Sequence, residues 1–255
     1  MSVTGLTRQL VGQFHGIRGE IVYHLARGVP ANSFVLHLPE GRDLLSTRHG
    51  FMKAAVICNC QIPEPLWDFM HDQSRDWKRC FKEILKDILT EYDLSLDEVA
   101  FLSTGINMEN IVWAEEVYED LWVIAFTTAG VKSNAMRIGK DRASGIERNG
   151  QFERIGTINN ILLTNASLDP AALAGSFITI TEAKNVALQE LNIRSTNNTE
   201  WLATGTGTDQ IVAVSGTGER CTYVGGHTKV GEMMARAVTQ STIDAIKKSS
   251  NEHSD

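Results

Sequence analysis

The sequence predicts an α+β fold, a single layered domain with a mixed, partly antiparallel sheet packed by helices. Three observations carry this. Short β-type runs crowd the first 60 residues, split by Gly28-Val29-Pro30 and Pro39-Glu40-Gly41, and turn residues that close together suggest antiparallel hairpins. A segment from Trp77 repeats apolar residues at helical spacing. Apolar runs at 99–103 and 121–127 read as buried strands, the second ending in the small residues Thr127-Thr128-Ala129-Gly130.

In chain order, residues 1–20 are polar and glycine-dotted and predict nothing regular. Strands are expected at 20–26, 33–38 and 42–46, then at 52–60, a run apolar enough to be central that stops at Pro63 and Pro65. From Trp77, Cys80, Phe81, Ile84, Leu85, Ile88 and Leu89 form one stripe over three turns. Lys78, Arg79, Lys82, Glu83, Lys86 and Asp87 cover the other face, a solvated surface. His71, just upstream, is given no role. Residues 143–154 are polar and charged and read as an exposed excursion or a lid.

A strand returns at 158–165, and Asp169-Pro170 starts a short helix, Asp as N-cap and Pro in the first turn. Thr179-Ile180-Thr181-Glu182 has capping-box spacing ahead of Ala183, Val186, Ala187, Leu188 and Leu191, so a second helix is expected there. After a loop at 192–199 come a strand at 210–214 and a last helix from Val230, apolar at 230, 233, 234, 237 and 238. The strands at 52–60, 121–127, 158–165 and 210–214 are expected to share one sheet. Residues 1–255 are read as one domain, with 1–19 and 249–255 peripheral or frayed.

Composition narrows the function classes. With 42% hydrophobic and 22% charged residues the chain reads as globular rather than disordered. A net charge of −7 argues against a general nucleic-acid binder, which needs a basic surface. The apolar runs are too short to cross a bilayer and the N-terminus lacks a signal-peptide core, so a cytoplasmic protein with reduced thiols is expected. Cys58 and Cys60 alternate along a strand and so share one face. With no second cysteine pair and no suitably spaced histidine, a buried apolar pair is favoured over a zinc site, and no metal ligands are assigned.

The richest stretch for chemistry runs from 156 to 232, centred on Ala203-Thr204-Gly205-Thr206-Gly207-Thr208-Asp209. Glycine lets backbone approach a ligand and threonine brings a hydroxyl, a combination that no core requires. P-loop, GxSxG and HExxH templates all fail. The Gly/Thr run lacks the lysine of a phosphate loop and leads into a strand, which disfavours nucleotide binding.

At these residues the chain resembles the adenosylcobinamide amidohydrolases of corrinoid salvage. The resemblance rests on Thr128-Ala129-Gly130 with Asn134-Ala135 and the stretch 137–139, GTIN at 156–159, LLTN at 162–165, ITITEAK at 178–184, ATGTGTD at 203–209, and His227 with Gly231-Glu232. Leu45-Ser46 and Asn59-Cys60-Gln61-Ile62-Pro63 also fit, and the ordered blocks cover roughly residues 20 to 245. Where the family is expected to have a glycine cluster after Leu-Ser, this chain departs from it with Thr47-Arg48-His49-Gly50.

The resemblance implies hydrolysis of adenosylcobinamide to adenosylcobyric acid and aminopropanol. The corrinoid would be the small-molecule partner, its cobalt travelling with the substrate and no cofactor bound by the protein. A homo-oligomer is left open. Amide hydrolysis needs a nucleophile or activated water, a proton donor to the amine, and oxyanion donors. His227, between Gly226 and a helix start, is the best acid/base by intrinsic pKa. Asp209 and Glu182 are candidates to orient it or act as base, Glu182 equally as a cap of the second helix. Thr157, Asn159, Thr204, Thr206, Thr208, Lys184, Glu232, Asn134 and Arg137 are the expected substrate contacts, with Arg137 equally able to pair with an acidic residue. Thr157 or Thr206 is an available nucleophile that nothing in the sequence singles out. The rival readings are a corrinoid- or nucleotide-binding module without catalysis, and a paralogue kept as a structural subunit.

Overall fold

A computed structural model describes residues 6–71, 77–143 and 157–251. In order, the elements are β1 (Thr7–Phe14), β2 (Ile17–Ala26), β3 (Val29–Ser46), β4 (Gly50–Gln61), α1 (Trp67–His71), α2 (Trp77–Ile84), α3 (Lys86–Glu91), β5 (Val99–Thr104), β6 (Val112–Tyr118) and β7 (Leu121–Ala129). Then follow β8 (Ala135–Met136), β9 (Ile158–Thr164), β10 (Ser167–Leu168), α4 (Pro170–Glu190), β11 (Gly205–Thr206), β12 (Gln210–Val214), β13 (Arg220–Cys221) and α5 (Lys229–Asn251).

Nine strands form one curled sheet. Its main path runs β1-β2-β3-β12-β9-β7-β6, while β4 pairs with β3 and β5. The pairs β4–β5 and β9–β12 are parallel and the rest antiparallel, so the mixed α+β expectation holds. The four strands expected to share a sheet do so.

β3 is the key to the shape. Its first part pairs with β2 from Val29 to His37, and its last part with β12 from Leu44 to Ser46, so two different strands occupy one edge in succession. The halves of the sheet then fold face to face: Phe34 on β3 lies 5.2 Å from Phe126 on β7, and Phe14 lies 4.9 Å from it. Strand alternation sorts the layers. Ile21, Phe34, Leu36, Ile57, Leu102, Ile124, Phe126, Ile161, Leu163, Val212 and Val214 fill the space between the halves. Their neighbours Val22, Val35, Cys58 and Phe101 face out against α2 and α3, and Val123, Ala125, Leu162, Ile211 and Ala213 face out against α4 and α5. The result is four layers, with helices outside two sheet faces.

Several expectations need correction. Pro39-Glu40-Gly41 is not a hairpin turn but an irregularity within β3, where the register with β4 shifts between His37 and Arg42 and Glu40 and Gly41 take φ of 60° and 68°. The hairpin turn before it sits on Arg27-Gly28, both at positive φ. The Trp77 stripe is buried as expected from Cys80 to Leu89, yet the helix bends at Leu85 into α2 and α3 while keeping the Leu85→Phe81 and Leu89→Leu85 backbone bonds.

Asp169 caps as expected, its carboxylate accepting the Ala172 N–H at 2.9 Å, but the helix it starts is the 21-residue α4. That helix runs straight through Thr179–Glu182, so no capping box exists there. Thr179 is buried and its hydroxyl donates to the Val224 carbonyl instead, a tertiary contact overriding a local signal. β1 and β6, the two ends of the main sheet path, were not anticipated. The excursion expected at 143–154 lies, beyond Ala143, outside the described residues.

Candidate active site

β9 and β12 run parallel with Asn159 opposite Gln210, so the residues at their starts lie side by side. Asp209, just before β12, meets α4. Its Oδ2 accepts from Lys184 Nζ, and its Oδ1 accepts from the Thr206 hydroxyl and, at 3.1 Å, from the backbone N–H of Ile158. The Thr206 N–H reaches both oxygens at 3.1 Å. One carboxylate therefore ties together a helix, a strand start and the Gly/Thr loop. Lys184 is only 5% exposed, so the pair is largely removed from water, where its members need each other most. Gly205 makes room for it, since a Cβ there would collide with the Asp209 carboxylate and come within 3.0 Å of Lys184 Nζ. Thr157 hydrogen-bonds the Thr208 carbonyl at 2.6 Å and fixes the far side of the loop.

On the inner face of the same strand starts lies a second polar set. Asn159 Nδ2 donates to Asn59 Oδ1 at 2.8 Å and to the Ser103 carbonyl at 3.1 Å, while Asn59 donates to Thr128 Oγ1 at 3.0 Å. Ser103 is on β5, which among the described strands pairs with β4 alone, and side chains cover its other edge. Gln210 donates to the Ser103 carbonyl at 2.8 Å and accepts its N–H at 3.4 Å, and His49 accepts the Phe101 N–H at 3.1 Å. Arg48 donates to Ser103 Oγ and Gln210 Oε1 at 2.9 and 3.0 Å, its guanidinium lying over the rings of Phe81 and Phe101. Burial lowers the pKa of Arg48 and of His49, the latter further because Arg48 is beside it. The segment 47–50 thus packs against the residue that follows Asp209.

A cavity lies on the segment that the loop pairs with. Gly205 and Thr206 of β11 pair with Met136 and Ala135 of β8. Asn134 and Met136, which a side chain at Gly207 would touch at 3.0 and 3.1 Å, line a cavity of about 540 Å³ with residues 140–143, 196–198 and Trp201.

Of the expected site residues, Asp209, Lys184, Thr206, Thr157, Asn159, Thr208 and Asn134 come together at this end. Thr204 and Arg137 brace the same region: the Thr204 hydroxyl accepts from Ile138 N at 2.9 Å, and Arg137 donates to the Leu202 carbonyl at 3.0 Å while its own backbone N–H meets Asp141. Both side-chain hydrogens of Asn159 are engaged within the protein. His227 and Glu232 do not join the cluster. His227 lies in the turn before α5 and Glu232 in its first turn, and α5 follows the opposite end of β12. There Val224 meets α4 at Gly175 and Thr179, more than a turn before Lys184. His227 is exposed and its ring lies 6.2 Å from Tyr223. Glu232 is held below the usual carboxyl range by its hydrogen bond to Lys229 and by Arg236. Glu182 is exposed in the middle of α4.

Asn59 and Thr128 entered the sequence reading only as parts of family-like blocks, Arg48 as part of the departure at 47–50, and Ser103 and Gln210 only within strands, and none of the five was assigned a role. The available signal was a carboxamide inside apolar strands, Asn59 in Val56–Cys60 and the Asn159-Asn160 pair in β9, positions where a buried amide has to find a partner.

A family model described as adenosylcobinamide amidohydrolase matches residues 20–254. An uncharacterized protein of Methanocaldococcus jannaschii is 44% identical over 227 residues, covering 85% of this chain and 86% of that protein. A Methanosarcina mazei protein named adenosylcobinamide amidohydrolase is 35% identical over 147 residues, 54% of this chain and 60% of that protein. Among solved structures, a Pyrococcus horikoshii protein superposes with a TM-score of 0.43 at 11% identity, covering 86% of this chain and 78% of that one. With the family model running from β2 beyond the end of α5, this chain belongs to the adenosylcobinamide amidohydrolase family.

Proposed function

We propose that the protein hydrolyses the amide joining aminopropanol to the corrinoid of adenosylcobinamide, giving adenosylcobyric acid, and that the chemistry takes place at Thr206, Asp209 and Lys184. The observation that carries this reading is the carboxylate of Asp209, which holds a hydroxyl on one oxygen and an ammonium on the other within the Gly/Thr block. Threonine becomes a nucleophile when a base takes its proton, and an amine leaves only when it is given one. In this scheme Asp209 accepts the Thr206 proton as Oγ bonds to the amide carbon. Lys184 protonates the departing nitrogen as the C–N bond breaks. Water then cleaves the threonine ester, its hydroxyl going to the acyl carbon and its proton to Thr206 Oγ. The proton held by Asp209 passes to Lys184, restoring both groups as the acid leaves. No cofactor held by the protein enters these steps, and the cobalt stays with the substrate.

His227 and Glu182 have no part in the scheme, because neither contacts Asp209. A cytoplasmic site of action fits the salvage role, and among the described residues no helix is long and apolar enough to cross a membrane. Incubating the purified protein with adenosylcobinamide tests the function. Release of cobyric acid and free aminopropanol is expected from the wild type, and tight binding without release from Thr206→Val. Binding without release by the wild type itself would favour the non-catalytic module.

A further inference from the structure

The cavity beside the Gly/Thr loop is built with more care than an incidental dent. Its two walls, residues 133–143 and 196–201, are bolted together. Ser195, 1% exposed, donates to Asp141 at 2.6 Å and accepts the backbone N–H groups of Asn197 and Asn198 at 3.0 and 3.2 Å. Thr196 reaches the Ala135 carbonyl through both its backbone N–H and its hydroxyl. Asp141 also accepts the Arg137 N–H, and Thr204 N meets the Met136 carbonyl. Such cross-ties hold the walls at a fixed separation before any ligand arrives, which is what a binding cavity requires.

The lining has a distinct chemistry. Three asparagines, Asn134, Asn197 and Asn198, line it together with the charged Asp141 and Arg142 and with Trp201, whose ring lies 5.3 Å from Lys140 Nζ. Asn198 spends its oxygen on the Glu200 N–H, whereas Asn197 is exposed at the rim. An asparagine amide offers a donor and an acceptor side by side, and its natural complement is another primary carboxamide.

We propose that this cavity is the seat of the peripheral carboxamide side chains of the corrin ring, and that it sets specificity by presenting the scissile arm to Thr206 across the β8–β11 pair. The proposal rests on the corrinoid reading above and adds to it which part of the ligand is recognised and where. On this assignment the cavity's own share of the binding is the same whatever the upper axial group of the cobalt.

The test measures Kd for adenosylcobinamide and for dicyanocobinamide with the full chain, together with KM and kcat. Asn197→Ala should weaken both ligands by about fivefold to tenfold, the usual effect of losing a hydrogen bond or two, and raise KM with kcat nearly unchanged. Ala143→Trp, at an exposed lining position, should block both by filling the space, with an unaltered melting temperature as evidence of folding. Wild-type affinity for both ligands in both variants overturns the assignment. A loss confined to the adenosyl form overturns it too, making the cavity an adenosyl seat. A wild-type protein that binds neither ligand overturns the corrinoid reading itself and this assignment with it.

Discussion

The two ends of β12 hold the same kinds of residue and treat them differently. At its start, Asp209, Lys184, Thr206, Gln210, Asn159 and Asn59 are closed into a network in which nearly every polar atom has a protein partner. Beyond its other end, Arg220 pairs with Asp169, Glu232 with Lys229 and Arg236, and His227 stands exposed. The surface pairs compete with water and are worth little. Inside, each group depends on its partner, because an orphaned one pays its full desolvation cost. The lesson is that chemical potency in a residue list does not locate a site. Histidine has the more suitable intrinsic pKa, but the carboxylate at the start of β12 has the neighbours.

The sharpest way to break the contrast is Asp209→Asn. It keeps the shape but strands the Lys184 ammonium, and turnover should fall by roughly 10²–10⁴, with a stability loss of about 3–5 kcal/mol. Denaturant titration beside a product assay measures both, and full activity in the variant would remove the carboxylate from the reaction. Asn159→Leu comes next. It unpairs Asn59 Oδ1 and half of the cover on the Ser103 carbonyl, and should cost about 2–4 kcal/mol through groups left buried and unsatisfied. A loss below about 0.5 kcal/mol would mean that the inner network relaxes or hydrates freely.

Acid should loosen the strand-start end through His49. Its imidazole accepts the Phe101 N–H and so must be neutral there, and its folded pKa is lowered by burial and by Arg48. A lowered imidazole pKa means that the stabilisation is complete above the unfolded value of about 6.5 and fades as pH falls through the folded one. His24 titrates in the same direction, its pKa lowered to about 4 by burial. The His49 share is therefore read as the difference between wild type and His49→Gln in melts from pH 7 to pH 4, and a constant difference would refute it. The smallest effect is expected from His227→Ala. Turnover should stay within about threefold of wild type and stability within about 0.5 kcal/mol, as for other exposed positions. A hundredfold loss of turnover would move the proton donor to the far end of β12.

What could be read beforehand follows from how local each signal is. β7, β9 and β12 are apolar runs buried on both faces, and the Trp77 stripe carries its own period, so all were legible. β1 and β6 lie at the ends of the sheet path with partly exposed faces, and their mixed polarity matched no template. Thr179 and Glu182 had the right spacing for a cap, yet a cap also needs the chain to begin there, and α4 had begun at Pro170. Asp209, Thr206 and Lys184 were suspected from the Gly/Thr run and its resemblance to the family. Their joining, and the part played by Asn59, Ser103 and Gln210, depend on contacts between residues up to 107 positions apart in sequence.

β3 has a consequence for the order in which the chain can assemble. Its Leu44–Ser46 edge and the adjacent edge of β9 are both completed by β12, which is the latest of the nine sheet strands in sequence and yet lies in the middle of the path. Until Gln210–Val214 has been made, a nascent chain holds two open edges in its interior rather than at its rim. Such edges are ready templates for a neighbouring molecule, and closing them requires contacts between residues some 170 positions apart. The strand that carries Asp209 into place is therefore also the keystone of folding, so the site is formed in the same event that closes the sheet.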